Sequence, residues 1–115
     1  MIQPDLCLVG GLTEAKKVAD MAWVYDAAVQ IHVCGSPISK AAALQIEAAL
    51  PNFLIHEHHQ RALNPDSRAT CVYDWQPVNG RYAIPDVPGI GNEPTAETIA
   101  RCDIHTVAEY RPYMK

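Results

Sequence analysis

The sequence lacks the features by which secreted, disulfide-stabilised and structural-metal domains are recognised. Its cysteines are widely scattered and include no CxxC pair. The first residues do not have the basic stretch and long apolar core of a secretory leader, and the sequence contains no run of 18 apolar residues. We therefore expect a cytoplasmic protein with reduced thiols and no membrane contact. The cysteines are Cys7, Cys34, Cys71 and Cys102.

Positive charge is also scarce. There are 9 basic against 13 acidic residues, a formal net charge of −4, and no basic cluster. Surfaces that bind nucleic acid need such a cluster, so we expect no nucleic-acid partner. The composition is 49% hydrophobic, as in a globular domain, and 115 residues is the length of one domain. Because a complete (β/α)8 barrel needs about 250 residues, this chain cannot hold one.

The first 60 residues alternate between short apolar segments and patterns with helical spacing. The predicted strands are residues 2–5, 28–32 and 53–57, and the predicted helices are residues 13–26 and 37–50. Residues 6–12 are predicted to form a loop with Thr13 as the helix N-cap, and Ser36 and Pro37 open the second helix. Alternation of this kind with short loops is typical of parallel βαβ units, and hence of an α/β fold.

The alternation stops after residue 57. Asn79-Gly80 is a strong signal for a tight turn, which predicts a hairpin between residues 71–75 and 81–84. Asn64-Pro65-Asp66 is predicted to be a turn, and a short helix is predicted to follow Thr95. We expect residues 105–115 to fray.

Three ionisable residues occupy equivalent positions in the repeated pattern. Asp5, His32 and Glu57 each end one predicted strand, and they lie 27 and 25 residues apart. Since the carboxyl ends of parallel strands meet at one edge, where α/β folds hold their chemistry, we expect these side chains to lie close together. An Asp–His pair there can act as a general base, because the carboxylate fixes the ring tautomer and stabilises the protonated ring. The alternative is that Asp5 caps a loop and His32 is a buried structural histidine.

Further residues near this edge carry weaker signals. Glu57 can hydrogen-bond to a developing oxyanion if it is protonated, or it can be an ordinary exposed glutamate. The run HEHH at residues 56–59 suggests zinc, but no second ligand cluster accompanies it. His59 is instead a candidate for lining the mouth of a site. Cys34 is interpreted as a partly buried loop residue, because no second histidine is placed by the sequence to activate it.

Three segments of the chain resemble the carboxyl-terminal part of the enolase superfamily, in the mandelate racemase-like branch and close to acid-sugar dehydratases of the galactonate type. They are QPDLCLVGGLTEAKKVADMA, VQIHVCGSPISKAAALQIEAALPNFLIHE and VPGIGNE. The resemblance implies the last three βα units of an incomplete, TIM-like (β/α)7β barrel in residues 1–60. Residues 61–115 would then be a return segment that packs on a capping domain not present in this chain.

The resemblance also implies a role for each residue at the edge. His32 would take the proton α to the substrate carboxylate, Asp5 would orient His32, and Glu57 would stabilise the enediolate. Mg²⁺ would be held by acidic ligands on strands upstream of this chain, and the catalyst would be a lyase that removes water from a sugar acid. We expect the complete protein to be a homo-oligomer and this chain alone to be inactive. There are two alternatives. The protein could be a racemase or epimerase of a 2-hydroxy acid, or it could be a non-catalytic remnant that only binds.

Overall fold

Three short extended segments lie side by side and parallel in the computed structural model, which describes residues 1–105. The middle segment, residues 28–32, lies between residues 2–5 and residues 53–57. The predicted order and direction of the strands are confirmed. Within the described residues, however, the segments pair through isolated bridges and do not form continuous ladders. The parallel bridges are Ile2–Val29, Asp5–His32 and Val29–Phe53.

Helices connect and follow these segments. They are α1 (Leu6–Val9), α2 (Leu12–Val24), α3 (Pro37–Glu47), α4 (Pro65–Arg68) and α5 (Ala96–Arg101), with a 3-10 turn at Gln60–Leu63. The prediction of a loop over residues 6–12 was wrong in part, because α1 forms one helical turn there. Asp5 caps that turn, since its Oδ1 accepts a hydrogen bond from the Cys7 N–H at 2.8 Å. Glycine 11, with φ at 90°, is the N-cap of α2 in place of the predicted Thr13.

The hydrophobic core forms where α2 and α3 cover the middle segment. Val29 and Ile31 are completely buried there. The helices meet them mainly through alanines, whose small side chains allow helices to pack closely; these include Ala15, Ala19, Ala42 and Ala43. Ser36 caps α3 as predicted, and its hydroxyl oxygen accepts a hydrogen bond from the Ser39 N–H. Burial of Val29 and Ile31 therefore fixes the segment that ends at His32.

The second half of the chain packs on α3, and its pairing differs from the prediction. The Asn79-Gly80 turn is present, with a bridge between Val78 and Arg81 and φ angles of 50° and 73° at the two turn residues. The predicted pairing of residues 71–75 with 81–84 is wrong, because Cys71 pairs with Pro94 instead. The predicted turn at Asn64 is instead the N-cap of α4. The short helix predicted after Thr95 is present as α5, and Thr95 is its N-cap. Fraying was predicted for residues 105–115, and all of these except residue 105 lie outside the described residues.

A buried asparagine explains why residues 71–75 pair with the segment around Pro94 and not with residues 81–84. The side chain of Asn92 accepts from the Tyr73 N–H at 3.1 Å and donates to the Tyr73 carbonyl at 2.9 Å. Trp75 Nε1 donates to the carbonyl of Gly91, where a Cβ atom would lie only 2.3 Å from the Cβ of Pro85. Only glycine fits at residue 91, so the chain follows a path that the hairpin signal does not reveal. A division into units at residue 60 stays a proposal.

Large apolar side chains remain exposed on this structure. Leu8 is 84% exposed, Val24 is 80% exposed, and both Leu54 and Ile55 are 58% exposed. Leu54 donates its N–H to Val29, but the other edge of residues 53–57 has no strand partner within residues 1–105. Within the same residues, no helix is both long and apolar enough to cross a membrane.

The 115-residue polypeptide is expected to self-associate at micromolar concentration. An open sheet edge offers unpaired backbone groups, and the adjacent apolar side chains favour contact with a second copy. Size-exclusion chromatography with light scattering checks this, and Ile55→Lys should shift the distribution towards the monomer. A monodisperse species of 12.6 kDa with a sharp cooperative melt would contradict the expectation.

Candidate active site

The structure places the three predicted residues at one edge of the parallel segments. The Nδ1 atom of His32 lies 2.7 Å from Oδ2 of Asp5. Glu57 reaches the same edge from the third segment, where its Oε2 accepts a hydrogen bond from the Val33 N–H at 2.5 Å. Asp5 and His32 are also paired directly through their backbones. The arrangement therefore joins an imidazole, its carboxylate partner and a second carboxylate on neighbouring segments.

The environment of Asp5 determines which ring nitrogen of His32 carries a proton. Burial alone would raise the pKa of Asp5, but hydrogen bonds from His32 and from the Cys7 N–H outweigh burial and hold this pKa below its usual value. Asp5 is therefore ionised at neutral pH, and its carboxylate can only accept hydrogen bonds. Nδ1 of His32 must then donate, which leaves the lone pair of a neutral ring on Nε2.

Exposure differs between the two partners of this pair. The side chain of Asp5 is 15% exposed, whereas that of His32 is 41% exposed. One carboxylate oxygen of Asp5 caps α1, and the other lies against Nδ1 of His32. The His32 side chain is therefore only partly buried, and its role as a base stays a prediction.

Glu57 is held by a backbone group that the sequence did not reveal. The Val33 N–H fixes Oε2, and Oε1 has no partner among residues 1–105. A backbone donor carries no residue-type signal, so only the three-dimensional arrangement could identify it. One oxygen of Glu57 is therefore held by the backbone, and the other makes no hydrogen bond within residues 1–105.

His59 lies beside Cys34, a contact between two loops that the sequence pattern does not indicate. The sulfur of Cys34 is 3.5 Å from Nε2 and 3.8 Å from Nδ1 of His59. Because these distances are nearly equal, the sulfur is not aimed along a single ring N–H bond. Nδ1 of His59 accepts the Arg61 N–H at 3.1 Å, which orients the ring.

The other histidines of the HEHH run point to different partners. Nδ1 of His56 lies 2.6 Å from Oε2 of Glu47, and Nδ1 of His58 lies 2.5 Å from the Tyr82 hydroxyl. Burial raises the pKa of Glu47, lowers that of His58 and raises that of Tyr82 to about 12. Across residues 1–105, no group of three or more His, Cys, Asp or Glu side chains could hold a metal ion. These residues therefore do not fit a zinc or magnesium centre.

Comparison with known proteins identifies the family. The sequence profile described as enolase C-terminal domain-like matches residues 1–98. The D-xylonate dehydratase of Haloferax volcanii is 36% identical over 99 residues, which cover 79% of this chain and 22% of that protein. The D-galactarolactone cycloisomerase of Agrobacterium fabrum is 35% identical over 100 residues, which cover 81% of this chain and 26% of that protein.

A solved structure confirms the fold. The crystal structure of an enolase superfamily member from Salmonella Typhimurium superposes with a TM-score of 0.84 at 57% identity, covering 87% of this chain and 26% of that one. The chain thus spans about a quarter of the length of the relatives it matches, and it carries the last βα units of a TIM-like barrel. The protein belongs to the enolase C-terminal domain-like family of the enolase superfamily.

Proposed function

We propose that the edge formed by Asp5, His32 and Glu57 is the proton-transfer part of the active site of a sugar-acid dehydratase. The observation that carries this proposal is the 2.7 Å contact between His32 Nδ1 and an ionised Asp5. It gives a base whose second nitrogen is available at an exposed edge. The family relationship supports the substrate class, because relatives that match this chain are named as dehydratases of sugar acids.

In the proposed reaction, Nε2 of His32 takes the proton on the carbon next to the substrate carboxylate. The electron pair of the broken C–H bond moves into the carboxylate to form an enediolate, and the imidazole ring of His32 becomes positively charged. The ionised Asp5 stabilises that charge across the Nδ1 hydrogen bond. The enediolate then collapses and expels the neighbouring hydroxyl, which takes a proton from a general acid elsewhere in the complete barrel and leaves as water. The resulting enol tautomerises to a 2-keto-3-deoxy acid.

Glu57 is proposed to stabilise the enediolate through Oε1. With Oε2 held by the Val33 N–H, a proton on Oε1 would be directed at the site and could be donated to the developing negative oxygen. His59, oriented by Arg61, is proposed to contact substrate beside it.

Within residues 1–105, no group of three or more His, Cys, Asp or Glu side chains could hold the expected Mg²⁺. We therefore assign no step of the reaction to it. The expectation that its ligands lie on other strands of a complete barrel remains a prediction, as does assembly into a homo-oligomer.

A graft tests the proposed function. Residues 1–98 would replace the matched quarter of the Salmonella relative, whose barrel they should complete. We expect the graft to dehydrate a sugar acid from a panel in the presence of Mg²⁺, and the 115-residue polypeptide alone to give no turnover. Turnover by the isolated polypeptide would contradict the proposal. Interconversion of 2-hydroxy acids without loss of water by the graft would instead establish the racemase alternative.

A further inference from the structure

A narrow cavity lies beside Glu57, between the loops that follow the second and third extended segments. Its lining includes Ser36, Lys40, Glu57, His59, Arg61 and Arg68. Three of the nine basic residues of this acidic chain meet here, whereas Glu57 is the only acidic side chain in the described lining. Phosphate sites of TIM barrels are frequently built from the loops after the last two strands. The second and third extended segments are the last two strands of this partial barrel, so the cavity lies at the equivalent position.

Lys40 is the unusual member of this lining. It is only 4% exposed, and within residues 1–105 its ammonium group makes no hydrogen bond or ion pair. Side chains on a helix lean towards its N-terminus, so Lys40 extends back over the first turn of α3 and reaches the cavity. Burial lowers the pKa of Lys40, and the nearby charge of Asp74 offsets only part of this effect. A charged group held in this way is stabilised by an anion.

The other groups of the lining add positive potential. α3 has 11 residues and its N-terminus, at Ser36, carries the positive end of the helix dipole. Arg61 adds a charge from the 3-10 turn. Arg68 is partly neutralised, because its Nε donates to Asp74 at 2.7 Å. The cavity therefore keeps an excess of positive charge, and its narrow shape suits one carboxylate or phosphate group and not a whole sugar.

We propose that this cavity binds a small anionic group, and that in the complete enzyme this group is a second carboxylate or a phosphate of the substrate. The inference about substrate class rests on the proposed function, since it places a sugar diacid or phosphorylated sugar acid at the His32 edge. Anion binding by the cavity itself does not depend on that function.

Equilibrium dialysis against radiolabelled inorganic phosphate tests anion binding, and it tolerates self-association of the chain. The 115-residue polypeptide should bind about one phosphate per chain. Lys40→Met, which keeps the apolar stem, should weaken binding by at least about 10-fold, and Arg61→Gln at an exposed position by about 3-fold. Lys17→Met is the matched control, because Lys17 is exposed on α2 and pairs with Glu14. His32→Asn should bind phosphate as the unmodified chain does.

Competition distinguishes free phosphate from an anionic group of a sugar acid. D-galactarate and D-galactonate differ only in whether the last carbon is a carboxylate or a hydroxymethyl group. D-galactarate should displace the phosphate at about 10-fold lower concentration than D-galactonate does. Equal displacement, or none, would overturn the inference about substrate class. Equal weakening by Lys40→Met and Lys17→Met, or no weakening by either, would mean an adventitious ion only and would overturn the site.

Discussion

Replacement of His32 with asparagine is expected to lower kcat by about 10³-fold in a barrel completed with residues 1–98. A positioned base contributes about 10²- to 10⁴-fold to proton transfer, and asparagine has no basic nitrogen. KM should change little, because the imidazole takes a proton and does not hold the substrate. Steady-state kinetics on the graft described above measures both constants.

The control for this substitution is His58→Asn. His58 contacts the Tyr82 hydroxyl and lines a different cavity from Glu57 and His59, so its loss should leave kcat within about 3-fold. Circular dichroism on both variants separates a catalytic loss from a loss of folding. Equal kcat for His32→Asn and the unmodified graft would remove His32 from the mechanism.

Replacement of Asp5 with asparagine is expected to cost about 10²- to 10⁴-fold in kcat with little effect on folding. Asparagine is as good an N-cap as aspartate, so α1 keeps its hydrogen bond at Cys7. It carries no charge, however, and so it cannot stabilise the protonated ring of His32. Asp5→Ala loses the cap as well and should lower the free energy of unfolding by about 1 kcal/mol. Comparing the two substitutions separates the contribution of Asp5 as the N-cap of α1 from its contribution as the partner of His32.

Two further variants sharpen this test. Asp20→Asn removes an exposed carboxylate that pairs with Lys16 on α2, and it should leave kcat unchanged. The double variant Asp5→Asn/His32→Asn should be no slower than His32→Asn alone, because the two residues act as one unit. Additive losses would show that Asp5 contributes to the reaction independently of His32.

The β/α alternation was sufficient to predict the middle of the molecule. Val29 and Ile31 are two residues apart and share the face of the segment that is buried, and Ser36-Pro37 is a strong signal for a helix start. The spacing of Asp5, His32 and Glu57 was therefore enough to predict that the three residues lie at one edge of the parallel segments. Local sequence determines these features, since each depends on residues close together in the chain.

Features that depend on distant residues could not be predicted. The partner of Cys71 is Pro94, because buried Asn92 and the tight approach of Gly91 to Pro85 hold that path, and neither contact is visible in the sequence. The same holds in the site. The contact of His59 with Cys34, the Val33 N–H on Glu57 and the direction of Lys40 all arise from how loops pack after the segments are in place.

The most direct test of the account is the release of deuterium from a sugar acid labelled at the carbon next to its carboxylate. Dehydration and racemisation both begin with this step, so the measurement does not depend on which product forms. With the graft, deuterium should enter the solvent at the rate of turnover, and His32→Asn should slow its release by about 10³-fold while His58→Asn does not. Release that continues unchanged in His32→Asn would contradict the assignment of His32 as the base.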